Sequence, residues 1–133
     1  MKIFRIIILV LVVGLAMKIS LGKTKGQTHS RIGPPNYLNF THESFDSLAG
    51  NTRAICFMSD WNVYDEKVDL EIRSSDKRIP QDVVIFRADF DTEYELKKKY
   101  SIDIKHECLI FDKQGSITKR VNPEKILSTL SLQ

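Results

Sequence analysis

The chain has 133 residues and weighs 15.3 kDa, room for one domain of ordinary size. Charged residues make up 28% and hydrophobic ones 42%, the balance of a folded globular chain and not of a disordered one. The net charge is +3, but the first 22 residues hold Lys2, Arg5 and Lys18 and no acid; without them Lys plus Arg falls from 20 to 17, equal to the 17 Asp plus Glu. The rest of the chain therefore carries no basic field for nucleic acid. Two cysteines, Cys56 and Cys108, permit at most one internal disulfide and exclude a Cys-rich scaffold or a zinc site built mainly of cysteine. Three histidines are too few for a His-rich metal site, so no metal and no cofactor is expected.

Residues 1–22 read as an export signal or an N-terminal anchor. Lys2 and Arg5 supply the positive start, and Ile6–Met17 is an unbroken apolar run closed by Lys18. As a helix that run spans only about 18 Å, short of a hydrocarbon core of about 30 Å, which favours a cleaved signal. Arg5 and Lys18 can snorkel, which keeps the uncleaved anchor open. Both readings place the folded part outside the cytoplasm: periplasmic, secreted or tethered to the outer face of the membrane. Membrane contact is then confined to the N-terminal segment. Residues 23–36, rich in Lys, Gly, Thr, Ser and Pro, read as a flexible linker. Residues 37–133 form the domain.

In the domain, Tyr37–Phe40 is a short strand and Thr41 caps a helix over His42–Ala49 that stops at Gly50. Arg53–Ser59 contains Ala54-Ile-Cys-Phe-Met58, a continuous apolar run suited to a strand covered on both faces. Asn62–Lys77 follows as a helix with Val63, Lys67, Leu70 and Ser74 on one stripe. Ile79–Asp82 turns the chain into a second buried strand, Val83–Ala88. Asp91 or Thr92 caps a short helix reaching Tyr100. The acids Asp89 and Asp91 at that strand end are expected to cap and not to bind a metal. The run Lys97–Lys99, with Glu93 and Glu95 near it, is a solvated helix face. Glu107–Phe111 and Ser116–Val121 form a hairpin about Asp112–Gly115, with Gly115 at the strained position. Asn122 caps a last helix, Pro123–Leu132. This order implies an α/β domain: a mixed sheet with helices on both faces.

Over roughly Tyr37–Leu132 the chain resembles a thioredoxin-like domain. Ala54–Trp61 is similar to the apolar strand that ends in Trp just before the family's active site. Val83–Asp91 looks like the next strand and its acidic end, Glu95–Ile102 like the following helix, and Phe111–Gly115 like the hairpin turn. Tyr100–His106 is similar to exported bacterial thioredoxin-like proteins that carry His where most of the family has proline. The resemblance implies a mixed sheet of central strands plus a C-terminal hairpin, covered on both faces.

It also identifies what is missing. The family's Trp-Cys-x-x-Cys stretch is Trp61-Asn62-Val63-Tyr64-Asp65 here. Dithiol exchange needs a thiolate at a helix N-terminus and a second thiol to resolve the mixed disulfide. Asn62 and Asp65 supply neither; they suit a helix cap and a first-turn acid. His106 replaces the proline that packs on the dithiol, so a trans bond is expected before it. Cys56 stands where redox-active members hold a buried acid. With Asp60 nearby, Asn62, Asp65 and His106 would line a small polar cleft, more plausibly hydrogen-bonded than metal-binding or catalytic. Trp61 and Tyr64, if exposed beside it, would anchor a protein or peptide partner; a Trp61 packed on the helix start would not. The fold match sets Cys56 and Cys108 on antiparallel neighbours, where they form a structural disulfide or remain two buried thiols. The resemblance thus implies an exported thioredoxin-fold domain without the catalytic dithiol, leaning away from an enzyme and towards a binding or structural module. The alternative is a residual thiol-disulfide oxidoreductase or redox sensor that uses Cys56 and Cys108.

Overall fold

A computed structural model describes residues 33–132 except 76, 104 and 105. The expected export segment, most of the linker and the peptide bond before His106 lie outside the described residues. The elements run β1 (Tyr37–Asn39), α1 (His42–Ser47), β2 (Thr52–Met58), α2 (Val63–Arg73), β3 (Val83–Asp89), α3 (Tyr94–Tyr100), β4 (Cys108–Phe111), β5 (Ile117–Val121), a 3-10 turn (Pro123–Lys125) and α4 (Ile126–Leu130). They build one mixed sheet of order β1-β3-β2-β4-β5. β3 is parallel to both β1 and β2, while β4 is antiparallel to β2 and to β5.

The apolar runs in β2 and β3 have a direct cause: both sheet faces are covered. Alternate residues of β2 serve two separate cores. Ala54, Cys56 and Met58 meet Val68 and Ile72 of α2 and Ile126, Leu127 and Leu130 of α4 on one face. Ile55 and Phe57 meet Leu96 of α3 and Phe45 of α1 on the other. At the end of that second core Arg53 is buried, its guanidinium 4.1 Å from the centre of the Phe45 ring and donating to the Phe45 carbonyl at 2.7 Å. β5 is an edge strand, and its residues are largely exposed.

Several boundaries differ from the sequence pattern for local reasons. The folded unit already includes Pro34–Asn36, assigned above to the linker: Pro34 is buried, and the Asn36 amide donates to the carbonyls of Pro80 and Val83. α1 stops at Ser47, before the turn where Gly50 takes φ +100°. α2 stops at Arg73 and not Lys77, because Ser74 and Ser75 turn their hydroxyls back onto the Glu71 carbonyl. Its buried face is Asp65, Val68 and Ile72; Val63 and Leu70, expected on the stripe, are exposed. Neither Asp91 nor Thr92 caps α3. Glu93 stands at that position with no side-chain bond, and the Glu93 N–H donates to the Asp89 carbonyl. Asn122 likewise makes no side-chain cap, and Pro123 opens a 3-10 turn before the short α4. The hairpin follows its pattern: Asp112 Oδ1 accepts the N–H groups of Gln114 and Ser116, and Gly115 takes φ +88°.

Candidate functional site

The site forms where β2 ends and α2 begins. Asn62 is the N-cap of α2, its Oδ1 accepting the N–H of Tyr64 at 2.9 Å and of Asp65 at 3.4 Å. This satisfies helix donors that have no partner within the helix. One turn in, Asp65 points back under the helix start and is only 3% exposed. Its Oδ2 accepts the Ser59 N–H at 2.8 Å and meets Nδ1 of His106. A carboxylate can only accept, so Nδ1 carries the hydrogen and the second ring nitrogen, Nε2, is left for other contacts. The 3.4 Å approach of the Asn62 amide nitrogen to Nδ1 is then donor against donor and no hydrogen bond.

The His106 ring is held by its neighbours as well. Phe90 lies over it with ring centres 4.1 Å apart, and Trp61 meets it nearly edge-on at 6.1 Å. The Trp61 indole N–H donates to Asp91 Oδ2 at 2.8 Å, so Asp91 orients the tryptophan and does not cap α3. Trp61 and Tyr64 are each 70% exposed. Trp61, Asn62, Tyr64, Asp65 and His106 border an open groove of about 460 Å³, which Asn122, Pro123 and Glu124 also line.

The structure therefore gathers Trp61, Asn62, Tyr64, Asp65 and His106 at one groove. Asp60 is elsewhere, paired with Arg87. Asp89 Oδ1 accepts the Asp91 N–H at 2.9 Å. Among the described residues no group of three or more His, Cys, Asp and Glu could hold a metal ion. The sequence pattern misses Phe90 as a wall for His106 and the turn Asn122–Glu124 as part of the groove lining. The only signal at that turn, Asn122-Pro123, reads equally as a helix start. Chemically, the Asp65–His106 pair can hold and pass a proton at Nε2, and among the described residues no Ser, Thr, Cys or Lys lines the groove to act as a nucleophile.

The two sulfurs lie apart from this chemistry. Cys56 and Cys108 form a disulfide, fully buried in the core beneath α2 and α4. They are register partners on β2 and β4 with Cα atoms 4.0 Å apart. The Phe57 N–H donates to the Glu107 carbonyl at 3.0 Å, so the next pair along, Cys56 and Cys108, occupies a non-hydrogen-bonded position. There opposing side chains come closest, which brings the sulfurs into bonding range.

By sequence, neither a protein-family model nor a curated protein matches the chain. Solved structures do match. Thioredoxin from Malassezia sympodialis superposes with a TM-score of 0.59 at 16% identity, over 79% of this chain and 97% of the other. Thioredoxin from Trypanosoma brucei brucei gives 0.59 at 16%, over 77% and 95%. Trxlp from Edwardsiella tarda gives 0.58 at 15%, over 70% and 92%. With its five-stranded mixed sheet and helices on both faces, the chain has a thioredoxin-like fold.

Proposed function

We propose that this chain is an exported thioredoxin-fold module that works by holding a partner protein or peptide, without dithiol exchange. One observation carries the reading: the only two cysteines of the sequence are bonded to each other at zero exposure inside the sheet, away from the groove. A thiol that is to attack a partner's disulfide has to be ionised and accessible, and a fully buried bonded sulfur is neither. The positions beside the groove instead carry Asn62 and Asp65, both engaged in holding the backbone. What the site offers a partner is surface: two exposed aromatic side chains over a half-open groove. Aromatic anchors of this kind dominate interface energies. The charged, apolar leader at residues 1–22 supports export or tethering to the outer face of the membrane.

The test is capture of cross-linked partners by the full chain in its native envelope, compared with Trp61→Ala and Tyr64→Ala. Both side chains are largely solvent-exposed, so the variants fold, and partner capture is expected to fall at least ten-fold for Trp61→Ala. Capture unchanged in both variants would defeat the reading. Thiol-disulfide turnover by the native chain that vanishes in Cys56→Ala would replace it with the redox alternative.

A further inference from the structure

We infer that the groove selects a segment bearing a basic side chain, arginine or lysine; this rests on the binding reading above and deepens it. The argument starts from charge. Asp65 and Glu124 are the acids of the groove wall, and among the described residues no Lys or Arg lines it. If His106 is charged it cancels Asp65 and leaves Glu124 in excess; if it is neutral, both carboxylates stand uncompensated. Either protonation state leaves the described groove wall with an excess of negative charge. Asp91, outside the groove lining, holds the Trp61 indole with a third carboxylate. The nearby cations Arg120 and Lys125 line the neighbouring depression beyond Asn122, where Arg120 is paired with Glu107 at 3.3 Å.

The aromatic side chains point to the same ligand. Trp61 and Tyr64 present exposed rings beside the acids, and a cation over an aromatic face gains from the ring quadrupole, most over Trp. The aliphatic stem of a Lys or Arg packs on apolar surface while its head reaches the carboxylates. A neutral aliphatic side chain would use the rings but leave the carboxylates unanswered. An acidic one would meet repulsion.

A random peptide library panned against the full chain tests this directly, with Trp61→Ala as the counter-selection. Binders that depend on Trp61 are expected to be enriched in Arg and Lys. The best of them should weaken about two- to five-fold on Glu124→Gln, about ten-fold on Glu124→Lys, and progressively as salt is raised. Trp61-dependent binders with no basic enrichment, indifferent to Glu124→Lys, would overturn the inference and leave the binding reading standing. Absence of any Trp61-dependent binder, with self-association of the chain that Trp61→Ala abolishes, would assign the groove to a second copy and overturn the inference. Absence of both would overturn the inference and the binding reading together.

Discussion

Reducing the Cys56–Cys108 bond is expected to remove about 4 kcal/mol of stability. The bond joins residues 52 apart in sequence. In the chain-entropy treatment a loop of that size costs the unfolded ensemble about 14 cal/mol/K, or about 4 kcal/mol at 25 °C. The native contacts change little on reduction, because Cys56 and Cys108 already face each other in sheet register and both sulfurs stay in the core. Reduction is therefore a cleaner perturbation than substitution, which would also open a cavity. The assay is urea unfolding of oxidised chain against chain unfolded and refolded in reductant, followed by far-ultraviolet circular dichroism. Alkylation and mass measurement on each sample count the free thiols. The reduced form should show a lower midpoint and a larger urea slope, since its denatured state is more expanded. In thermal scans the same difference amounts to roughly 15–30 °C for a domain of this size. A stability difference under about 1 kcal/mol, with both thiols shown to be free, would refute the reasoning.

Other perturbations probe the site and the sheet. Asp65→Ala strands the buried Ser59 N–H and the imidazole of His106, and should cost about 3 kcal/mol in urea unfolding; a cost below about 1 kcal/mol would mean the carboxylate is not holding the loop. Asn62→Ala should cost about 1 kcal/mol through the lost cap of α2, with Asn62→Asp restoring most of it; equal stabilities for all three chains would deny Asn62 that role. Burial, then the hydrogen bond to Asp69 at 2.6 Å and its negative charge, hold the Tyr37 phenol well above its usual range. Folded Tyr37 thus keeps its proton where the unfolded chain releases it, near pH 10. Its contribution to stability is complete below that pH and declines above it by about 1.4 kcal/mol per pH unit. Tyr37→Phe should flatten that alkaline decline, measured by urea midpoints across pH 8 to 11; an unchanged slope would show that Tyr37 is not responsible.

The strands were legible because β2 and β3 are buried on both faces, and a double-sided strand writes itself as an uninterrupted apolar run. The hairpin was legible because Asp112 and Gly115 meet specific backbone requirements that few other residues meet. The face of α2 was not. Its buried stripe begins with a carboxylate, Asp65, which a hydropathy pattern counts as surface; the Ser59 N–H and the imidazole 41 residues later make that burial tolerable. Positional likeness to thioredoxins brought Asn62, Asp65 and His106 to one place, but the side-chain bond between Asp65 and His106 is set by tertiary packing. Asp91 shows the complementary error. A short acid before a helix suggests a cap, yet its carboxylate is taken by an indole 30 residues upstream. Arg53, just before an apolar run, is buried because one aromatic ring and one carbonyl receive it, partners that strand periodicity does not reveal.

Trp61 is the only tryptophan of the chain. It stands in water in the folded protein, its indole tied to Asp91 and its edge towards His106. Its emission therefore reports on the groove and hardly on the core: global unfolding moves it from one aqueous setting to another, whereas an occupant that covers the ring shifts it to the blue. A titration that changes this signal while the circular dichroism stays constant reads occupancy alone, so the chain carries its own optical label at the place where a partner would have to arrive.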